Sequence, residues 1–230
     1  MNRLLWCVVP AAGRGTRMGA DCPKQYLPLV GQPLIVHTLE RLAAHPRIAG
    51  LVVVLSAKDE HWPGTTILRG KPVRTAIGGT ERSDSVLAGL QALPSEVADD
   101  DFVLVHDAAR PCVRAADIAR LIEQAMQADG GLLGAPLRDT LKRAGDDERS
   151  LATESRDQRW RAFTPQMFRR SELTAALHAV AREGRAVSDE AMAMELAGFR
   201  PLLVEGAEDN IKVTTAADLA LAEFLLARTA

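Results

Sequence analysis

The chain has 230 residues, of which 47% are hydrophobic and 25% charged, with a net charge of −2. That length suits one α/β domain, the near-neutral balance excludes nucleic acid as a partner of the whole surface, and an aromatic content of 4% argues against stacking on single strands. No apolar run approaches the roughly 18–20 residues of a membrane span, and three cysteines without CxxC spacing (Cys7, Cys22 and Cys112) suit reduced thiols in a cytoplasm.

The continuous apolar run Leu4–Val9 predicts a strand buried on both faces. It leads into Gly13, Arg14 and Gly15 rather than a cleavage site, so no signal peptide is expected. Pro33 suits a first helical turn, and Leu34, Ile35, Thr38, Leu39 and Leu42 continue at helical spacing. Leu51–Leu55 and Val73–Ile77 read as strands, the latter closed by Gly78-Gly79, with a helix marked by Val86, Leu87 and Leu90. Phe102–Val105 is the next strand, Ile118, Leu121 and Ile122 the next helix, and Gly131–Pro136 another strand. From Leu137 to Trp160 the texture becomes charged around Asp146-Asp147-Glu148, which predicts a protruding β-arm within the single 1–230 domain. Ser188 suits the cap of a helix running to Gly198, Leu202–Val204 is a last strand, and Ala216–Ala227 a closing helix. The alternation predicts a Rossmann-like, mostly parallel sheet with helices on both faces, whose ligands sit at the carboxyl ends of the strands.

The strongest local signal follows the first strand: Pro10-Ala11-Ala12-Gly13-Arg14-Gly15-Thr16-Arg17-Met18. Glycines there let backbone N–H groups approach phosphate oxygens closely. A dinucleotide fingerprint would need glycine where Met18 stands, and a P-loop would need a Gly-Lys-Ser/Thr ending that is missing. Arg14, Arg17 and Lys24 are three cations in a short stretch, which suits a triphosphate; solvated cations on a tight turn would look the same. Asp107, at a strand's carboxyl end, could hold Mg²⁺ or simply cap a turn. Asp209 could complete that metal site and Lys212 could meet a phosphate, unless the stretch is an ordinary polar loop. Gly78-Gly79-Thr80-Glu81-Arg82-Ser83-Asp84-Ser85 offers amides and a hydroxyl to a pyrimidine edge, and a plain helix cap explains it equally well. No Ser–His–Asp order stands out among the five scattered histidines, which disfavours a nucleophilic triad.

Together these segments resemble the 2-C-methyl-D-erythritol 4-phosphate cytidylyltransferases of the non-mevalonate isoprenoid pathway. The first loop is shared by many sugar-phosphate nucleotidyltransferases. More specific are Pro23-Lys24-Gln25-Tyr26, Gly79-x-Glu81-Arg82-x-Asp84-Ser85-Val86 and Val105-His106-Asp107-Ala108-Ala109-Arg110-Pro111, followed by Asp139-Thr140-x-Lys142 and Thr164-Pro165-Gln166. Ser188-Asp189-Glu190 and Asp209-Asn210-Ile211-Lys212-Val213-Thr214 complete a pattern that spans nearly the whole chain. Thr80 stands where some members have Asp, and the arm tip Gly145–Arg149 matches no motif.

The resemblance implies transfer of a cytidylyl group from CTP to 2-C-methyl-D-erythritol 4-phosphate. It assigns Ala11, Ala12, Gly13, Gly15, Gly79, Arg82, Ser85 and Asp107 to CTP. Arg17, Lys24, Lys212 and Arg156 become the catalytic set, and Arg110, Thr140, Arg156, Thr164 and Lys212 the sugar-phosphate pocket. It also implies Mg²⁺, with Asp107 and Asp209 as candidate ligands, and a cytoplasmic homodimer whose 137–160 arms are exchanged. Thr140 and Arg156 would then serve the partner's site. Some relatives fuse a cyclodiphosphate synthase domain, an activity not expected of a chain ending at Ala230. The alternatives are a ribitol 5-phosphate cytidylyltransferase, differing in the second pocket, and a CTP-binding regulatory module without catalysis. The latter is disfavoured by the presence of Arg17, Lys24 and Asp107.

Overall fold

Successive side chains of the first strand, β1 (Leu5–Pro10), point into two different cores: Leu5, Cys7 and Val9 into one, Val8 into the other. A strand covered on both faces needs apolar residues at every position rather than at alternate ones, which is why its sequence is a continuous run. The computed structural model describes residues 4–13 and 22–228.

After β1 come a short 3₁₀ turn, Lys24–Tyr26, the two-residue strands β2 (Pro28–Leu29) and β3 (Gln32–Pro33), and helix α1 (Leu34–Ala44). Then follow β4 (Ile48–Leu55), β5 (Ile67–Leu68), β6 (Lys71–Ile77), α2 (Arg82–Gln91), β7 (Phe102–Val105), α3 (Ala115–Ala125) and β8 (Gly131–Pro136). The arm holds β9 (Leu141–Ala144) and β10 (Ser150–Glu154). The chain returns through β11 (Trp160–Arg169), α4 (Arg170–Arg182), α5 (Glu190–Leu196), β12 (Leu202–Glu205) and α6 (Ala216–Ala227).

The main sheet has eight strands in the order β12-β8-β11-β7-β1-β4-β6-β5. Six of them run the same way; β11 is antiparallel to both its neighbours, and β5 to β6. One face is covered by α1 and α3, through Ile35, Leu39, Leu42, Ile118 and Leu121. The other is covered by α2, α4 and α5, through Val86, Leu90, Leu173, Leu177 and Met194. The sheet is therefore mostly parallel with helices on both faces, as expected. The arm is a separate two-stranded antiparallel hairpin, with Leu151 on it 63% exposed.

Three expectations need correction. The stretch after the arm contains a ten-residue strand, β11, and a helix, α4, that the sequence reading left out. Pro165 and the two arginines of β11 mask its strand character, and α4 buries alanine as well as leucine and valine, which blurs its periodicity. The cap of α5 is Asp189, not Ser188. The Asp189 carboxylate accepts from Met192 N at 2.9 Å, while Gln166 donates to its other oxygen at 2.9 Å. That helix ends at Leu196 rather than running to Gly198. Pro33 stands at the cap position of α1, one residue before its first turn.

Candidate active site

Strands β1, β6 and β7 run in parallel, so their carboxyl ends open on one side of the sheet. The first loop, Ala11–Gly13, is tied down at Ala11, whose N–H donates to Val54 O at 2.8 Å. Its carbonyl accepts from Gln25 Nε2 at 2.7 Å, which holds the turn carrying Lys24 beside it. After β6, Gly79 packs so tightly on α2 that a Cβ there would stand 2.4 Å from the Cβ of Asp84. Asp84 is fixed because it closes a capping box with Glu81, accepting from Glu81 N at 3.0 Å. Gly79 is thus required by close approach to a helix start, the plainer of the two readings of that motif.

These loops enclose a cleft whose empty volume, counting its open mouth, is ≈ 690 Å³. The backbone of Pro10–Gly13 and Gly79–Glu81 forms one side, with Ser85, Ala108 and Ala109 at the base and Lys24 and Lys212 at the rim. A second chamber of ≈ 480 Å³ lies against it, lined by Arg110, Ala162–Thr164, Gln166 and the start of α5. Arg82, Asp107 and Lys212 line both chambers and form the wall between them.

The wall is a charge cluster. Asp107 Oδ1 is 3.1 Å from Arg82 Nη2; Oδ2 is 3.1 Å from Lys212 Nζ and 3.3 Å from Arg110 Nε. Burial alone would raise the Asp107 carboxyl, but Arg82, Lys212 and Arg110 outweigh it and hold its pKa well below the usual carboxylate range. Burial likewise disfavours charge on Arg82, but Glu190 and then Asp107 more than offset it, so the guanidinium is held charged. Glu190 makes a two-point contact with Arg82, Oε1 to Nη1 at 2.5 Å and Oε2 to Nη2 at 3.1 Å.

Behind the wall runs a buried network. The Asp107 N–H donates to Thr164 Oγ1 at 3.0 Å, the Thr164 hydroxyl lies 3.0 Å from His106 Nδ1, and His106 Nε2 lies 3.2 Å from Arg110 O. A neutral His106 carrying its proton on Nε2 satisfies every partner. Burial favours that form, pushing the His106 pKa down to about 4. Asn210 closes the network, its side-chain amide donating to Thr164 O at 2.8 Å while its backbone carbonyl accepts from Arg110 Nη1 at 2.7 Å. The shape of β11 places Thr164 here. Between Ala162 and Gln166 that strand takes four residue steps where β8 takes two, Gly134 to Leu132, so the intervening residues bulge toward the site.

Most of the expected site residues meet in this place. Ala11, Ala12, Gly13, Gly79, Arg82, Ser85, Asp107, Lys24 and Lys212 line the first chamber, and Arg110 and Thr164 the second. Gly15 and Arg17 lie outside the described residues. Thr140 and Arg156 line neither chamber of their own chain: both sit at the arm, where Arg156 donates to the carbonyl of Arg138. Asp209 does not join Asp107, because it pairs with Arg114 instead. Among the described residues no group of three or more His, Cys, Asp or Glu side chains gathers as a metal site. The carboxylates that line the first chamber are engaged, Glu81 in a helix cap and Asp107 by cations. Glu190, Gln166 and Asn210 also belong to the site, bonded to Arg82, Asp189 and Thr164, and in the sequence their only signal is their place inside the motifs.

The sequence pattern of the 2-C-methyl-D-erythritol 4-phosphate cytidylyltransferases matches residues 5–228. The chain belongs to that family. A protein named 2-C-methyl-D-erythritol 4-phosphate cytidylyltransferase from Stenotrophomonas maltophilia is 58% identical over 231 residues, spanning the whole of both chains. The crystal structure of the cytidylyltransferase of that name from Francisella tularensis is 32% identical, with a TM-score of 0.82 over 96% of this chain and 99% of the other. The bifunctional IspDF of Campylobacter jejuni is 27% identical with a TM-score of 0.78, over 95% of this chain and 54% of its own. No helix of the described residues is long and apolar enough to cross a membrane.

Proposed function

We propose that this chain transfers the cytidylyl group of CTP to 2-C-methyl-D-erythritol 4-phosphate, giving 4-diphosphocytidyl-2-C-methyl-D-erythritol and pyrophosphate. The observation that carries this reading is the shared wall of Arg82, Asp107 and Lys212, which puts two clefts on either side of one charge cluster rich in cations. CTP occupies the cleft, its base and ribose against the backbone of Ala11–Gly13 and Gly79, with Ser85 and Asp107 beside the ribose. The acceptor occupies the second chamber near Arg110 and Thr164.

A phosphate oxygen of the acceptor attacks the α-phosphorus of CTP and the bond to pyrophosphate breaks. The attacking group is already anionic, so no general base is needed, in keeping with a neutral, buried His106 that lines neither chamber. Lys24, Lys212 and Arg17 neutralise the charge that builds on the five-coordinate phosphorus. The first chamber's carboxylates are engaged, so a Mg²⁺ would be held mainly by the triphosphate and water, where it would draw charge off the leaving group.

The arm supports a homodimer as part of this reading. A two-stranded hairpin alone is marginally stable, and this one leaves Leu151 63% exposed. A second copy would cover it and would bring Thr140 and Arg156 to the partner's acceptor chamber. A cytoplasmic setting fits the three free thiols.

The test is pyrophosphate release from CTP and Mg²⁺, with 2-C-methyl-D-erythritol 4-phosphate and ribitol 5-phosphate compared side by side. Release with the first alone is expected. Preference for ribitol 5-phosphate would reassign the acceptor, and no release with either would overturn the reading.

A further inference from the structure

Glu190 is a carboxylate only 1% exposed, at the first turn of α5, and the transfer reaction described above gives it nothing to do. Its surroundings fix it. Asp189 caps the helix, and Gln166 accepts from Ala191 N at 2.7 Å on the other side. A buried acid held this firmly dictates the place of whatever it binds, and it binds Arg82 through both oxygens. Arg82 then meets Asp107 through Oδ1 alone, by Nε at 3.2 Å and Nη2 at 3.1 Å, leaving Oδ2 to Lys212 at 3.1 Å and Arg110 Nε at 3.3 Å.

We infer that Glu190 is a positioning residue that holds Arg82 to one oxygen of Asp107, so that the other stays with Lys212 and Arg110 and aims the Lys212 ammonium along the wall between the two chambers. Guanidinium groups prefer to take both oxygens of a carboxylate in a fork. With Nη1 and Nη2 drawn to Glu190, the remaining edge of Arg82 meets Asp107 with Nε and Nη2 both on Oδ1, not as a fork on its two oxygens. Without that anchor it rolls into a fork on Asp107 and draws the carboxylate away from Lys212. The arrangement thus depends on a residue that lines neither chamber.

This inference rests on the cytidylyl-transfer reading, and its test separates the two. The experiment measures kcat and KM for CTP in the wild type, Glu190→Gln, Arg82→Lys and the double variant. An amide offers one acceptor oxygen where Glu190 offers two and turns an NH₂ donor toward the guanidinium, so Glu190→Gln is expected to lower kcat by about 10- to 100-fold. KM for CTP should move less than about threefold. Lysine cannot fork, so in the Arg82→Lys background Glu190→Gln should cost under about twofold more. Glu190→Asp keeps the charge but not the reach, and it should show the same background-dependent loss if the glutamine variant does not fold. An equal loss in both backgrounds, or an unchanged kcat in whichever Glu190 variant folds, overturns the inference while leaving the reaction intact. A wild-type protein that releases no pyrophosphate removes the reading on which it rests.

Discussion

Gln25 Nε2 donates to Ala11 O at 2.7 Å, and through that one bond the turn carrying Lys24 is tied to the loop at the end of β1. Gln25 is only 4% exposed, so water cannot replace it when it is removed. Gln25→Leu leaves a buried carbonyl without its donor, which typically costs about 1–3 kcal/mol. The variant should lose that much in urea unfolding and should also raise KM for CTP, because the backbone facing the nucleotide loosens with it. Lys24→Ala should behave differently. Its ammonium lies at the rim, donating to Val213 O at 3.2 Å. Its loss should lower kcat by about 10²–10³-fold with the thermal midpoint preserved. A Lys24→Ala enzyme with near-normal turnover would remove this lysine from the transition state.

His106 ties stability to pH. Its pKa falls from 6.5 to about 4 on folding because it is buried. The unfolded chain therefore takes up a proton between those values when the folded chain does not, so stability is lost as pH falls through that window. The expected loss between pH 7 and pH 5 is about 2 kcal/mol in urea unfolding. His45, also lowered by burial, contributes with the same sign. His106→Asn should remove most of the slope, and an undiminished slope in that variant would show that another group controls it.

Arm exchange predicts complementation between two crippled chains. Lys24→Ala damages the site of the chain that bears it, whereas Arg156→Ala damages the site of its partner. Each variant alone should be weak, and Arg156→Ala should affect use of the acceptor more than use of CTP. Mixed dimers combine both faults in one site and leave the other intact, so an equal mixture re-formed from separated chains should recover about a quarter of wild-type activity. No recovery on mixing would show that Arg156 serves its own chain or none.

The parallel half of the fold was legible because its strands carry their burial in their composition. The strands Phe102–Val105 and Gly131–Pro136, and the closing helix Ala216–Ala227, appear with the boundaries their patterns predict. β11 was not legible, since a strand with Pro165 at its centre and a bulge at Thr164 obeys neither alternation nor a continuous apolar run. The glycine loop and Asp107 stood out because their chemistry is local to a strand end. Glu190 did not, because its partner is 108 residues away and only the fold brings them together. Asp209 misled for the same reason in reverse: its acid character was visible, but Arg114, which claims it, was not.

β11, which runs against both its neighbours, divides the molecule's labour. The cleft we propose for CTP hangs on the ends of β1, β6 and β7, whereas the chamber we propose for the acceptor is cut from the β11 bulge and the helix start braced against it. A substitution at Ala162 or Phe163 therefore reshapes one chamber while the loops that hold the nucleotide stay seated on parallel strands. Taste for the acceptor can drift in such a scaffold without the enzyme having to relearn how to hold CTP.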